Sequence, residues 1–402
     1  MRTVLFVAPF LMDATLKFVR AAASLDGVRL VVLTQDEPEK VPQGALYWRV
    51  DDATSVANLV QHARGVAQRY GGIHRIVGIL ENIQEEIAAV REALGVPGTS
   101  VATAARCRDK ALMKTVLRES GLPCARHRLV ISLDDAHQFV QEVGFPIVLK
   151  PPAGAGCKAT VRVNSLPELQ KELSEMSPSG QNAVLAEEFM AGDELSFDTV
   201  IIDGRVMFYN VLRYLPGPLH VLRNDWIQWC VIADRDLDRP DLDAIRVVGP
   251  AVLRTLGVRT SLTHMEWFRR PDGTPAVSEI GARPPGAQFT SLMSYVTDRD
   301  MYRVWARAVI DEAFDGPLPR KYAVGAAYLR GMGQGRVAAV EGIAEAQRRV
   351  GEVVVEVKLP QVGASKSTSY EGDGYVIVRH PDTAVVERAL KAVVETLQVR
   401  YH

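Results

Sequence analysis

The 402-residue chain balances 47 Lys plus Arg against 48 Asp plus Glu, a formal net charge of −1, and 47% of its residues are apolar. That balance excludes the basic excess that carries nucleic-acid or anionic-membrane binding, so neither partner is expected. The length favours two to three domains with sizeable cores.

The first apolar run, Thr3 to Met12, is too short to span a bilayer and has no small-residue cleavage signal before Asp13 and Lys17. It reads as a first buried strand. Further buried strands are expected at Val28 to Leu33, Leu46 to Val50 and Ile76 to Leu80, alternating with helical periodicity at 14 to 25, 54 to 69 and 84 to 94. The pattern predicts a doubly wound, Rossmann-like domain over 1 to 100. No GxGxxG follows its first strand, so a dinucleotide is not its ligand. Gly95 and Gly98 around Pro97 close the domain.

A helix over 108 to 120 is expected next, then strand 126 to 132, helix 134 to 143 and strand 146 to 150. The run from Pro151 to Lys158 breaks regular structure, a mobile glycine loop before strand 160 to 163. Ser165 with Glu168 opens another helix as a capping box. Together these predict a small α/β lid subdomain over 101 to 185.

Beyond 183 the pattern turns to long alternating strands. Asp203 and Gly204 separate 195 to 202 from 205 to 212, and Asp272 and Gly273 separate 261 to 270 from 275 to 281. Both are hairpin signals, so a central antiparallel sheet is expected over 186 to 310. Strands near 322 to 330, 352 to 358 and 375 to 379 with a closing helix at 383 to 398 predict an α+β tail over 311 to 402. Cys107, Cys124, Cys157 and Cys230 show neither CxxC nor Cys/His ligand spacing, which predicts a reduced, cytoplasmic protein without disulfides or structural zinc.

The second hairpin carries the sharpest chemical signal. If Asp272 and Gly273 form a two-residue turn, opposite residues have numbers summing to 545, and Glu266 faces Glu279. Two such carboxylates roughly 5 Å apart repel by about 3 to 4 kcal/mol at an effective dielectric of 20. A divalent cation removes that cost, and magnesium commonly takes one or two protein carboxylates plus phosphate oxygens. A three-residue loop through Pro271 would break this pairing. Gly281 and Arg283 follow on the same face, Arg283 offering a planar fork for a carboxylate or phosphate.

Lys150 ends an apolar run at the entrance to the glycine loop, where an ammonium can meet phosphates or simply snorkel to water. Gly154 and Gly156 let backbone N–H groups approach an anion. Lys158 is divided between a phosphate contact and solvent. Glu187, Glu188, Phe189 and Met190 end another apolar strand, which could offer backbone groups and flat apolar surface to a purine, with Glu194 beyond them to accept from a ribose.

Five blocks in order, RDKALMK (108–114), FPIVLKPPAGAGCKATVRV (145–163), LAEEFMAGDELSFD (185–198), THMEWF (263–268) and SEIGARPPGA (278–287), resemble the ATP-grasp superfamily, and within it the carboxylate-amine ligases of the L-amino acid ligase type. The resemblance implies an ADP-forming enzyme that activates a carboxylate as an acyl phosphate and joins it to an amine, with ATP and Mg2+, or Mn2+ in its place. Lys110 and Lys150 would contact ATP phosphates or adenine N7. Glu187, Glu188, Phe189 and Met190 would line the adenine hinge, and Glu194 the ribose. Glu266 and Glu279 would hold the metal, while Arg283 would stabilise the acyl phosphate, with Lys158 a further catalytic candidate. Many relatives carry Asn where this chain has Gly281, which leaves the number of metal ions open.

His264 shares a strand face with Glu266 and could assist proton removal, or be structural. Glu81 and Asn82, and the stretch Tyr214 to Trp229 with Arg213, Arg223 and Trp226, are the candidates for specificity. The partners expected are small-molecule carboxylate and amine substrates, and a homodimer is the commonest oligomer in general. Two other readings stand beside the ligase: bicarbonate activation of the biotin-carboxylase kind, and a nucleotide-binding scaffold without turnover.

Overall fold

The computed structural model describes residues 1–154 and 159–402. The N-terminal segment forms the parallel sheet that the alternating pattern predicts. Its strands lie in the order Ala45–Arg49, Val28–Thr34, Arg2–Val7, Arg75–Val77, flanked by helices Asp13–Ala23, Val56–Tyr70 and Gln84–Leu94. The fourth strand is shorter than the apolar run 76–80, because the chain leaves it at Gly78 and turns through a short 3-10 segment, Glu81–Ile83. Sheet order reverses between Arg2–Val7 and Arg75–Val77. Open parallel sheets take their ligands at the carboxyl ends of two such strands.

The helix expected over 108–120 is Lys110–Glu119, and a further helix that was not expected, Val101–Arg108, precedes it. Asp109 divides them. Its carboxylate accepts from the N–H groups of Ala111 and Leu112 at 2.8 and 2.9 Å, and an Asp that caps one helix in this way ends the preceding one. Cutting the chain there places Lys110 and Lys114 in the first two turns of the second helix, both buried.

The segment expected to form a lid is an antiparallel sheet ordered His127–Val130, Val184–Glu188, Ile147–Lys150, Val161–Val163. Helices Leu133–Val143 and Leu166–Met176 cover it, with Phe139, Leu149, Leu169 and Leu173 buried between. Ser165 Oγ caps the second helix, accepting from Glu168 N at 3.4 Å.

The core is one eight-stranded antiparallel sheet. Its order is Pro275–Gly281, Ser261–Arg269, Asp193–Ile202, Arg205–Leu215, Cys230–Ala233, Ala323–Leu329, Gly374–His380, Val354–Lys358. The last three strands belong to the C-terminal tail and complete the same sheet. Asp203 and Gly204 both take positive φ, 47° and 77°, as a two-residue hairpin turn requires. Among the described residues no helix is long and apolar enough to cross a membrane.

Trp305, on helix Met301–Asp311, seals the parallel sheet to the core. It is 1% exposed, and its ring stands edge-on to Phe6 and Phe18 with centroids 6.0 and 5.0 Å away. Trp305→Ala is expected to cost about 3–5 kcal/mol. Urea denaturation should show the midpoint falling with the slope unchanged.

Candidate active site

The hairpin brings Glu266 and Glu279 face to face, by a route the two-residue turn did not anticipate. The loop has three residues, Pro271, Asp272 and Gly273, closed by Gly273 N donating to Arg270 O at 2.8 Å and Arg270 N to Thr274 O at 2.9 Å. Near the loop the partners are therefore shifted by one, Trp267 with Val277 and Phe268 with Ala276. A β-bulge at Ser278 absorbs the extra residue, so that Glu266 pairs with Glu279, Met265 with Ile280 and His264 with Gly281. The bulge is fixed from outside the hairpin. Buried Lys114 donates through Nζ to Ser278 O, and Val277 N donates to Pro123 O at 2.9 Å.

Four cationic groups and several acids meet on this face. Lys110 Nζ lies 3.2 Å from Glu279 Oε1 and donates to Gly154 O at 2.9 Å, tying the hairpin glutamate to the segment after Lys150. His264 places Nδ1 2.6 Å from Asp198 Oδ1 and Nε2 3.5 Å from Glu266 Oε1. Burial alone would lower the His264 pKa, but Asp198 and Glu266 lift it to about 10. Both carboxylates favour the protonated ring. Burial raises the Glu266 carboxyl, and His264, Lys110 and Lys150 outweigh it to hold the group below its ordinary range. Glu194 shows the opposite balance. Burial and then Glu266 push its carboxyl well above the usual range, Lys150 opposing and Glu279 adding to the rise.

This donor set suits a hard dication, since it offers carboxylate oxygens on facing strands. Among the described residues no group of three or more His, Cys, Asp or Glu is arranged to hold a metal. Glu266 and Glu279 would thus share an ion with phosphate oxygens and water, which is the usual manner of magnesium.

Behind this face lies a buried triad. Glu187 Oε1 is 2.9 Å from Lys114 Nζ and Oε2 is 2.9 Å from Lys150 Nζ, and the Glu187 and Lys114 side chains are almost wholly enclosed. Burial would raise the Glu187 carboxyl, yet the two ammonium groups bring it down to about 2. Glu187 is thus an anchor for both lysines, whatever its neighbouring backbone offers an adenine. Glu188 turns its carboxylate to Arg126, which donates from N at 2.8 Å and Nε at 2.7 Å. Phe189 lies under the Arg162 guanidinium, 4.2 Å from the ring centroid, and Met190 packs with Ala125, Ala276 and Phe268.

Arg283 Nε donates to Glu81 Oε2 at 2.5 Å and Nη1 to Pro284 O at 2.8 Å. Of the other specificity candidates, Arg213 is spent on Asp234 and Glu387, and Arg223 donates to Arg162 O of the lid, leaving Trp226 exposed. Gly156 and Lys158 lie outside the described residues. Sequence reasoning missed Lys114, Asp198 and the bulge. Lys114 was findable, since it follows Lys110 by four positions and both fall on the buried face of an amphipathic helix.

Lys114→Met leaves Glu187 with one ammonium and strips Ser278 O of its donor. A loss of about 3–5 kcal/mol is expected, read by chemical denaturation. Because the Glu187 pKa falls on folding from 4.5 to about 2, its ion pairing stabilises fully above pH 4.5 and is lost as pH falls through 2. The stability gap between wild type and Glu187→Gln should therefore be constant above pH 5 or so and narrow progressively below it.

The family described as "Phosphoribosylglycinamide synthetase, ATP-grasp (A) domain" matches residues 108–212. The L-arginine-specific L-amino acid ligase of Bacillus subtilis is 24% identical over 249 residues, 61% of this chain and 59% of that protein. The carbamoyl phosphate synthase large chain of Deinococcus radiodurans is 25% identical over 297 residues, 71% of this chain and 27% of that one. The chain thus spans under two thirds of either relative's length. Among solved structures, the L-amino acid ligase from Bacillus licheniformis superposes with a TM-score of 0.82 at 19% identity, covering 100% of this chain and 99% of that one. The N5-carboxyaminoimidazole ribonucleotide synthetase from Thermotoga maritima superposes at 0.73 and 18% identity over the whole of both. The chain has the ATP-grasp fold and is similar in sequence and structure to carboxylate-amine ligases of the L-amino acid ligase type.

Proposed function

We propose that the protein is an ATP-dependent, ADP-forming ligase that activates a small-molecule carboxylate as an acyl phosphate and couples it to an amine. One observation carries the reading: Glu266 and Glu279 face each other across a hairpin whose glutamate pair touches the lid lysine network through Lys110, with Arg283 four residues beyond Glu279. A scaffold protein has no need of apposed acids that repel unless a cation joins them.

In the proposed reaction a carboxylate oxygen of the substrate bonds to the γ-phosphorus of ATP as the bond to the ADP oxygen breaks. The amine then attacks the acyl carbon, inorganic phosphate leaves, and the amine gives up a proton to form the amide. Glu266 and Glu279 would hold the magnesium ion, which would supply neutralisation of phosphoryl charge. Lys110 and Lys150 add positive charge at the lid side and position the phosphates, which is the main work of phosphoryl transfer. Glu187 fixes the Lys150 ammonium, so little reorganisation is needed when charge develops. Arg283 holds the oxyanion of the tetrahedral intermediate. Glu187, Met190 and Glu194 are assigned to the nucleotide side of the site, with the Glu188 and Phe189 backbone. A cytoplasmic setting is part of the reading, supported by Cys107, Cys124 and Cys230 being free and buried.

The test is incubation with MgATP, hydroxylamine and pooled amino and organic acids. Hydroxamate together with ADP is the expected result. ADP release that depends on bicarbonate and biotin would favour the biotin-carboxylase reading, and nucleotide binding without turnover on a broad panel would favour the scaffold. Glu279→Gln should lower turnover by roughly 10²-fold or more with the far-ultraviolet circular dichroism of the folded protein unchanged. Undiminished activity would remove the metal assignment.

A further inference from the structure

An amine nitrogen that attacks an acyl carbon must shed a proton as the amide forms. The place of the acceptor is constrained by the oxyanion. The nitrogen bonds to the same carbon whose oxygen Arg283 is assigned to hold, so a group within reach of that proton lies close to the Arg283 guanidinium. Three carboxylates have Arg283 as an electrostatic neighbour: Glu81, Glu279 and Glu371.

Two of the three are already engaged. Glu81 is ion-paired with Arg283 Nε and lies 3.0 Å from where a Cβ on Gly281 would stand, and Glu279 lies 3.2 Å from Lys110 Nζ on the side assigned to the metal. Glu371 differs. Among the described residues its carboxylate makes no hydrogen bond or ion pair, and Arg283 is the one charged group that bears on it. Burial holds this carboxyl above its ordinary value, with Arg283 opposing, which moves it toward the range where a general base works best.

The turn that carries Glu371 is fixed from several sides. Ser369 Oγ accepts from Glu371 N at 3.1 Å, Asp373 Oδ1 accepts from Ser367 N at 2.8 Å, and Gly372 N donates to Ser369 O at 3.1 Å. Gly372 takes a φ of 62° and lies so near the strand Ala323–Leu329 that a Cβ there would collide with Leu329 O. Tyr370 stands edge-on to Trp229 with centroids 4.8 Å apart, and Trp229 stacks on Tyr328 at 5.0 Å. The Tyr328 hydroxyl donates to Ala287 O, on the loop that follows Arg283. The Glu371 turn and the Arg283 loop are thus built on the same pair of buried rings.

We propose that Glu371 is the base of the coupling step, taking the proton of the attacking amine beside the oxyanion held by Arg283. The proposal rests on the ligase reading above and adds a residue of the C-terminal tail to the site. The amine lone pair forms the C–N bond while the carbonyl π pair moves onto the oxygen at Arg283. A proton then passes from nitrogen to the Glu371 carboxylate, which leaves the nitrogen with its lone pair. The carbonyl re-forms, the C–O bond to phosphate breaks, and inorganic phosphate departs with that electron pair. Glu371 returns its proton to water when the amide leaves. A carboxylate without a partner suits this role, because a paired one must first give up its hydrogen bond or counterion.

The experiment sets two kinds of nucleophile against the same acid. Hydroxylamine is uncharged at neutral pH and strongly nucleophilic, whereas primary amines and amino acids are ammonium ions there. Protein, MgATP and an acid that yields hydroxamate are incubated with hydroxylamine or with a panel of such amines, and hydroxamate, amide and ADP are measured. In Glu371→Gln amide formation should fall by roughly 10²-fold, and at least about tenfold more than hydroxamate formation. Glu371→Asp, which keeps a carboxylate, should fall between wild type and Glu371→Gln, and carries the same comparison if Glu371→Gln loses the circular dichroism of the folded protein. Equal losses with both nucleophiles, or no loss with either, overturn the proposal while the ligase reading stands. Hydroxamate from wild type without amide from any amine of the panel overturns it as well, with carboxylate activation still supported. No hydroxamate from wild type removes the activation reading and the proposal together.

Discussion

Lysine ammonium groups held against buried carboxylates are the constraint on which the site depends. Glu187 grips Lys114 and Lys150, Lys110 grips Glu279, and the three ion pairs lie where the strand Val184–Glu188, helix Lys110–Glu119 and core hairpin meet. Buried charges are costly unless paired, so each group fixes the place of the others. Two of these lysines, Lys110 and Lys150, are those proposed to meet phosphates. Assembly of the fold and assembly of the proposed nucleotide site are therefore one event.

Lys114 shows how that coupling reaches the metal-side acids. Its ammonium serves Glu187 on one side and the carbonyl of Ser278 on the other, and Ser278 is the bulged residue. Without the bulge, the three-residue loop would leave Glu266 out of register with Glu279, and a one-residue slip reverses the face to which a strand side chain points. A buried lysine on the second helix of the lid region thus helps to set the apposition of two glutamates on a different sheet. The surplus negative charge this creates is visible at Glu194, whose carboxyl is driven toward its protonated form by burial and its neighbours.

The N-terminal sheet contributes differently. It is joined to the core by apolar contacts around Trp305 and reaches the site through Glu81 and its ion pair with Arg283. Rigid attachment and chemical contact are separated along its length.

Local chemistry made the strands, the Asp203–Gly204 turn, the caps and the order of the five motif blocks legible in the sequence, because periodicity, turn residues and capping act over a few positions. The pairing of Glu266 with Glu279 was legible too, although its derivation assumed a two-residue turn and did not foresee the compensating bulge. The helix Val101–Arg108 and its end at Asp109 were within reach of the same local rules, since Ser100 and Asp109 are both strong N-caps. What only the tertiary structure decided were the contacts between distant segments: Lys114 with Ser278, Glu187 with two lysines, Glu188 turned to Arg126, and Glu81 filling the space over Gly281. A one-dimensional pattern records which face a side chain occupies, whereas an ion pair depends on which other face is brought against it, and that is set by how sheets and helices stack.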